Sequence, residues 1–356
     1  MERATNVMGE RRMTEPLLDK IAGPGAWVGP EIQDNTSEWI MYLGDAAVAE
    51  IDAALRAVQA QGLSIPFKVE DFPLPTLAKE LDTIPTALED GLGFMLVRGL
   101  PRERYTDEER ELIYWGTGVH LGTPISQNTR GHLLGHVRDE GKSFDDPTVR
   151  GYQTRSQMDF HADQLPVDIL GLFCVRTAKS GGKSTMVSAL TVHNVLVEER
   201  PDLVEILHQP FSLDWRGEEP PGERPWYSSP MFSYYGDKLT SRITSRQYFE
   251  SVVGYGSELG LSDKQREALD MVQEVANRPE LRLSMDFQEG DMQFLNNHAI
   301  LHARDEYEDY DDPRLKRHLL RMWVALPEDR RRELSPELAD RYRFVTMGGI
   351  PAKTAA

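Results

Sequence analysis

The stretch Met158-Asp159-Phe160-His161-Ala162-Asp163-Gln164-Leu165-Pro166 places an imidazole and a carboxylate two positions apart. In an extended chain, side chains at i and i+2 share a face, so His161 and Asp163 could converge on one point that a metal ion could occupy. Pairs of this kind more often make a surface hydrogen bond, and a metal site needs a third donor. The chain has 9 histidines. His120, His132 and His136 lie upstream, and His193 and His208 fall in a segment, 190–209, whose pattern predicts helix. His298 and His302 form a His-x-x-x-His pair without the His-Glu-x-x-His signature, in a stretch that reads as strand and turn. Two histidines and one carboxylate on one face of a metal leave the opposite face open. That suits non-haem Fe(II), which needs room for a bidentate cosubstrate and dioxygen; catalytic zinc in a hydrolase or lyase uses the same donors, and on these residues both readings stand.

A second chemical signal is Lys316-Arg317-His318-Leu319-Leu320-Arg321-Met322-Trp323. In a strand, Arg317, Leu319, Arg321 and Trp323 share a face, so two guanidinium groups point the same way from an apolar segment. Inward-facing arginines call for a buried anion, and a carboxylate meets them with bidentate geometry. The Gly-Gly-Lys-Ser run at 181–184 is not a phosphate-binding loop, because Thr177 stands where that motif needs glycine.

The elements that must position these residues are legible in outline. Val48, Ile51, Leu55 and Val58 recur at helical spacing, as do Leu77, Leu81, Ile84 and Leu88. Residues 93–101 read as a short buried strand ended by Gly99 and Pro101. Residues 168–177 form an apolar run, followed by a turn at 180–184 and a further strand. Ser262 to Gln265 has the form of a capping box and opens a helix running to about Asn277. Leu281, Leu283, Met285 and Phe287 alternate up to a Glu-Gly-Asp turn at 289–291, and with the apolar stretch after it predict a β-hairpin. The acidic run 305–313 reads as a solvated loop. Segments 122–142 and 218–232 read as loops suited to cover a site. Residues 1–30 read as an N-terminal arm and 31–356 as one domain. Many strands without regular βαβ alternation predict an α+β, mainly β fold: a double-stranded β-helix (jelly-roll, cupin-like) core with flanking helices.

Taken together these motifs resemble the taurine dioxygenase-like (TauD/TfdA) family of Fe(II)- and 2-oxoglutarate-dependent dioxygenases, over residues of about 90–327. The Phe160–Asp163 stretch is similar to the family's His-x-Asp; the stretch 296–307 to its distal-histidine segment, with His302 and not His298 the ligand; and 316–326 to the segment whose arginine, here Arg317, pairs with the distal carboxylate of 2-oxoglutarate. The stretch 180–189 resembles the turn whose hydroxyl residue contacts the cosubstrate, here Ser184 in place of the usual threonine. The resemblance implies His161, Asp163 and His302 as iron ligands, Fe(II), 2-oxoglutarate and O2 as cofactor and cosubstrates, and release of succinate and CO2. It also implies Gln157 as a substrate contact and Arg321 as a cosubstrate or substrate contact, and as substrate a small anionic or zwitterionic metabolite oxidised at a C–H bond. A metal hydrolase or lyase built on the same two histidines and carboxylate, a non-catalytic 2-oxoglutarate-binding jelly-roll protein, and a metal-free jelly-roll interaction module are the competing readings.

Composition narrows the partners. With 40 Lys+Arg against 58 Asp+Glu the net charge is -18, which opposes nucleic acid and anionic membranes. No stretch is a secretory signal or a membrane span by its apolar length. The lone Cys174 sits in an apolar run, where a small buried residue is expected, and a reducing cytoplasm fits it. A small-molecule substrate is the expected partner, and a homo-oligomer is compatible with all of this.

Overall fold

A computed structural model describes residues 15–142 and 149–353. Part of the expected N-terminal arm, 1–14, lies outside the described residues. The remainder runs along the protein: Trp27 is buried, the Ile21 amide donates to Asn194 Oδ1, and the Thr191 hydroxyl donates to the Trp27 carbonyl. A short helix α1 (Gly29–Ile32), strand β1 (Ile40–Tyr42) and helix α2 (Asp45–Ala60) follow. The predicted face of α2, Val48, Ile51, Leu55 and Val58, is the buried one. The next apolar series forms two helices, α3 (Leu77–Leu81) and α4 (Ile84–Asp90), because Pro85 in the first turn of α4 has no N–H to extend a preceding helix.

Strand β2 (Phe94–Arg98) leads to α5 (Asp107–Val119), capped reciprocally by Thr106 and Glu109. The predicted loop 122–142 instead contributes β3 (Thr123–Ile125) and β4 (Leu134–Val137), which both pair with a later strand. Then come β5 (Met158–His161), β6 (Ile169–Arg176), β7 (Ser180–Gly181) and β8 (Ser184–Ser188). The helical stretch after them breaks at Pro201 into α6 (Ala189–Glu199) and α7 (Pro201–Leu207). The proline-rich segment 218–232 is only partly loop. Trp226–Pro230 is a strand, β10, paired with β9 (Pro210–Asp214), and β11 (Phe232–Tyr235) pairs with β12 (Lys238–Ser241). After α8 (Gln247–Glu250) comes α9 (Asp263–Ala276), opened by the Ser262 and Gln265 capping box as its sequence predicts.

The last strands are β13 (Leu283–Met285), β14 (Met292–Asn296), β15 (Ile300–Arg304), β16 (Tyr307–Glu308) and β17 (His318–Ala325), before helix α10 (Pro336–Thr346). The expected hairpin across residues 281–304 does not form. β13 pairs with β8, while β14 pairs with β2 and β6, so the chain changes sheet at the Glu-Gly-Asp turn. The cause is Asp291, whose carboxylate takes both Nε (2.9 Å) and Nη2 (2.6 Å) of Arg98 at the end of β2. A bidentate pair of this kind fixes direction as well as distance.

The two main sheets are a seven-stranded one, ordered β1-β2-β14-β6-β17-β3 with β4 also on β17, and a four-stranded one, β13-β8-β15-β5. Only β1 and β2 run parallel in the larger sheet. Side chains alternate across β17: Leu320, Met322 and Val324 pack with Leu55, Ile113 and Tyr114 of α2 and α5, while Trp323 joins Phe160, Met186 and Leu301 between the sheets. The result is a jelly-roll core with helices on both outer faces. Cys174 is fully buried there, and burial pushes its thiol up to about 12, so it packs and does not react. Among the described residues no helix is long and apolar enough to cross a membrane.

Candidate active site

His161 and His302 are direct cross-strand partners on β5 and β15, and the register alone brings their rings to 4.2 Å between centroids. Asp163 lies beyond the end of β5, so its approach does not come from the i, i+2 geometry of a continuous strand. The chain there is clamped. The Asp163 amide donates to Asn297 Oδ1 at 2.8 Å, and the buried Arg242 donates Nη2 to the carbonyls of Asp163 (2.6 Å) and Gln164 (2.7 Å). So held, Asp163 Oδ1 stands 3.9 Å from His161 Nε2 and 3.8 Å from His302 Nε2. Among the described residues these three form the one group of His, Cys, Asp or Glu that could hold a metal ion.

The protonation states suit a metal. His161 Nδ1 sits 2.7 Å from the Asp159 carbonyl; an N–H there donates, which leaves the Nε2 lone pair directed at the cluster. Burial pulls the His302 imidazole down to about 3, with the charge of His161 adding to it, and burial also lowers His161. Both rings are therefore neutral, the form that binds metal. Burial alone would raise the Asp163 carboxyl, but the Arg321 guanidinium, the two histidines and the Trp323 N–H reverse that and hold it below its ordinary value. His298 is elsewhere: it is 1% exposed, with Nε2 3.4 Å from Asp168 Oδ1, a structural contact away from the cluster.

Arg321 has a place the resemblance does not imply. Its Nη1 lies 3.0 Å from Asp163 Oδ2 and its Nε donates to Gln127 Oε1 at 2.7 Å. The Trp323 indole N–H donates to the same Asp163 Oδ2. The outer carboxylate oxygen is thus held by two donors from β17, and Oδ1 is presented to the histidines. Arg321 orients a cluster residue, and the period-two prediction that puts Arg321 and Trp323 on one face is what places both donors.

Two cavities meet at the cluster. One is narrow and lined by Ser184, His302, Arg304, Arg317 and Leu319 together with His161, Asp163 and Arg321. Arg317 is 4% exposed and its Nη1 has no partner. Arg304 on β15 is the residue that the sequence reading lacks: it is 6% exposed, spends Nη2 on the Thr154 and Ser156 carbonyls, and leaves Nε and Nη1 without partners. Burial, with the charge of Arg317 next, pulls Arg304 down to about 10. Two desolvated cations with unpartnered nitrogens and no direct ion pair favour an anion between them. Ser184 lines this cavity, whereas Thr185 turns its hydroxyl to Ser284. The glycine turn has a steric purpose, since a Cβ on Gly182, at φ +69, would lie 3.2 Å from Arg317 Nε. The acidic run 305–313 is not simply solvated: Tyr307 is buried beneath both guanidiniums and Asp309 Oδ1 accepts from the Arg317 amide. The second cavity, about 270 Å³, is lined by Gln157, Arg150, Glu218, Tyr248 and Trp323 on the other side of His161 and Asp163.

A consequence for stability follows from the depressed histidines. Unfolded histidine takes a proton near pH 6.5, whereas His302 and the buried His208 hold out to about 3 and about 4. Between those limits the unfolded chain binds more protons, so the metal-free protein loses stability as pH falls through that window and is insensitive to these groups above it. Thermal melts of metal-free protein should show Tm dropping steadily from about pH 6.5 downward, less steeply in His208→Gln. A Tm that stays level to about pH 4.5 in wild type would contradict this.

The arrangement has counterparts. Residues 57–323 match the family model described as Taurine catabolism dioxygenase TauD, TfdA family. The chain is 34% identical over 324 residues to FR-33289 synthase of Streptomyces rubellomurinus, covering 89% of this chain and 94% of that protein. It is 30% identical over 341 residues to the taurine hydroxylase-like protein SAT17 of Stachybotrys chartarum, covering 93% and 86%. Among solved structures, asparagine oxygenase with Fe(II), 3-hydroxyasparagine and succinate superposes with a TM-score of 0.63 at 16% identity, over 89% of this chain and 100% of that one. The non-haem iron oxygenase OrfP with Fe and alpha-ketoglutaric acid gives 0.59 at 15% identity, over 84% and 98%. The chain belongs to the TauD/TfdA family and is an Fe(II)- and 2-oxoglutarate-dependent dioxygenase.

Proposed function

We propose that His161, Asp163 and His302 hold the iron, that the narrow cavity takes 2-oxoglutarate, and that the cavity of about 270 Å³ takes a small metabolite hydroxylated at a C–H bond. The observation that carries this reading is that His161 and Asp163, with Arg321, line two differently built cavities at once, a narrow one that also holds His302 and the unpartnered nitrogens of Arg304 and Arg317, and a roomier one mixed in polarity. The residues fit the group: three neutral or anionic donors within 4.8 Å of one another, and orphaned cations where a dicarboxylate would end.

When bound, iron with 2-oxoglutarate and O2 supplies oxidising power for C–H cleavage, with succinate and CO2 released. The protein's own residues do the rest. Arg317, assisted by Arg304, pairs with the far carboxylate of the cosubstrate, and Ser184 offers it a hydroxyl. Arg321 and Trp323 keep Asp163 Oδ1 turned to the cluster. Gln157 on the opposite wall is a substrate contact. Tyr152 and Phe287, over the narrow cavity, and Tyr248, over the wider one, exclude water. A substrate bearing an acid group suits this site, and the names of two relatives, a taurine hydroxylase-like protein and uridine-5'-phosphate dioxygenase, refer to acids of this kind. A reducing cytoplasm suits the single buried thiol.

The test is anaerobic Fe(II) and 2-oxoglutarate titration followed by succinate release in air. Iron and 2-oxoglutarate should bind in that order of dependence and succinate should form; zinc retention with hydrolytic activity would sink the reading. With Asp163 occupying a ligand position, products should be hydroxylated and never chlorinated when chloride is supplied, as mass spectrometry would show.

Arg304 gives a separate prediction. Arg304→Met should weaken 2-oxoglutarate binding by roughly three- to thirty-fold, since one of two charge-assisted contacts is lost. It should also lower stability, because the Thr154 and Ser156 carbonyls lose their donor. Lower stability with unchanged 2-oxoglutarate affinity would make Arg304 a purely structural residue.

A further inference from the structure

The wider cavity contains a cation that the protein only half uses. Arg150, just before the turn Gly151–Gln153, lines the wall with its side chain 14% exposed. One edge of its guanidinium is engaged: Nη2 donates to the Arg216 carbonyl at 3.0 Å and stands 3.4 Å from Glu218 Oε1. The other terminal nitrogen, Nη1, is buried with no partner. The Tyr248 ring, also in the wall, lies 5.8 Å from the guanidinium carbon.

The other cations of this cavity are engaged in part or in full. Arg321 is held between Asp163 and Gln127, and Arg246, with its side chain 44% exposed, pairs with Asp270. Arg321 therefore spends Nη1 and Nε on positioning Asp163 and Gln127, which leaves only its Nη2 for a ligand. A buried guanidinium N–H left without an acceptor is costly, and an anionic oxygen is the strongest acceptor it can meet. We propose that Arg150 is a specificity-determining residue of this enzyme, its Nη1 binding the acid group of the substrate, whether carboxylate, sulfonate or phosphonate, at the end remote from the oxidised C–H bond. The proposal rests on the reading that the adjoining triad holds iron. Glu218 is the counter-ion on the opposite edge, which fixes the plane of the guanidinium and leaves Nη1 to the ligand. Its negative charge also opposes the incoming acid, so its removal acts in the reverse direction from removal of Arg150.

The test uses the anaerobic holoenzyme loaded with Fe(II) and 2-oxoglutarate, titrated calorimetrically with butanoate, propane-1-sulfonate and propylphosphonate, and with propan-1-ol and n-propylammonium as controls. At least one acid should bind in preference to both controls. Arg150→Gln should weaken that acid at least ten-fold, Arg150→Lys should recover part, and Glu218→Gln should tighten it several-fold. In all three variants anaerobic Fe(II) and 2-oxoglutarate affinities should stay at the wild-type level, which separates failure here from failure of the iron and cosubstrate assignment. Acid affinity unchanged in Arg150→Gln overturns the proposal, as does binding of none of the acids by wild type, or preferred binding of n-propylammonium that Glu218→Gln abolishes. If Arg150→Gln does not fold, weaker or equal acid binding in Glu218→Gln is enough to overturn it.

Discussion

Arg317→Ala is expected to weaken 2-oxoglutarate binding by roughly ten- to several-hundred-fold while iron binding survives. The guanidinium is buried, its Nη1 is unpartnered, and its neighbours position it without forming a direct ion pair: Gly182 against its Nε, Tyr307 under its plane, and Asp309 on its backbone amide. With the arginine removed, the far carboxylate of the cosubstrate would be left facing Arg304 alone. Arg317→Lys should restore part at most, because a point charge cannot reproduce two parallel N–H bonds. Arg321→Ala should behave differently from a cosubstrate mutant. Its guanidinium touches Asp163, so iron affinity should fall first and 2-oxoglutarate affinity only as a consequence. Anaerobic titrations of iron, then of 2-oxoglutarate into the iron complex, resolve the two effects. Equal 2-oxoglutarate affinity in wild type and Arg317→Ala would remove the arginine from the cosubstrate site.

The second large effect separates the two histidines of the pair. His302→Ala and His161→Ala should abolish stoichiometric Fe(II) binding, and Asp163→Gly should weaken it and end hydroxylation. His298→Ala should keep its iron. Its cost should be in stability, roughly 2–4 kcal/mol, because a fully buried ring is lost and one acceptor of Asp168 loses its contact. Metal analysis after gel filtration, alongside urea unfolding, reads both quantities on the same preparations. Iron retained in His302→Ala but lost in His298→Ala would exchange the two assignments.

What could be read along the chain was whatever depends on neighbours a few residues apart. Period-two alternation around Arg317 put Arg317, Leu319, Arg321 and Trp323 on one face, and that face lines the site. The capping residues of α9 marked its start at Ser262. The same kind of signal, Thr106 with Glu109, marks α5, a helix the sequence reading passed over although its capping box was present.

Long-range pairing was not readable, because nothing near a strand states which other strand it will meet. The hairpin expected at 281–304 failed for that reason: Arg98, 193 residues from Asp291, draws the chain into the other sheet. Asp163 reaches the cluster through Asn297 and Arg242, which are 134 and 79 residues away, and not through strand geometry. The engagement of Arg321 with Asp163 and the unpartnered nitrogens of Arg150 and Arg304 are likewise properties of the folded interior. By itself the sequence determined which residue types were present in strand-compatible spacing. Whether a guanidinium ends up paired or unpaired was decided only by the tertiary structure, since that depends on every charged group brought within a few ångströms and on how much water is removed from around it.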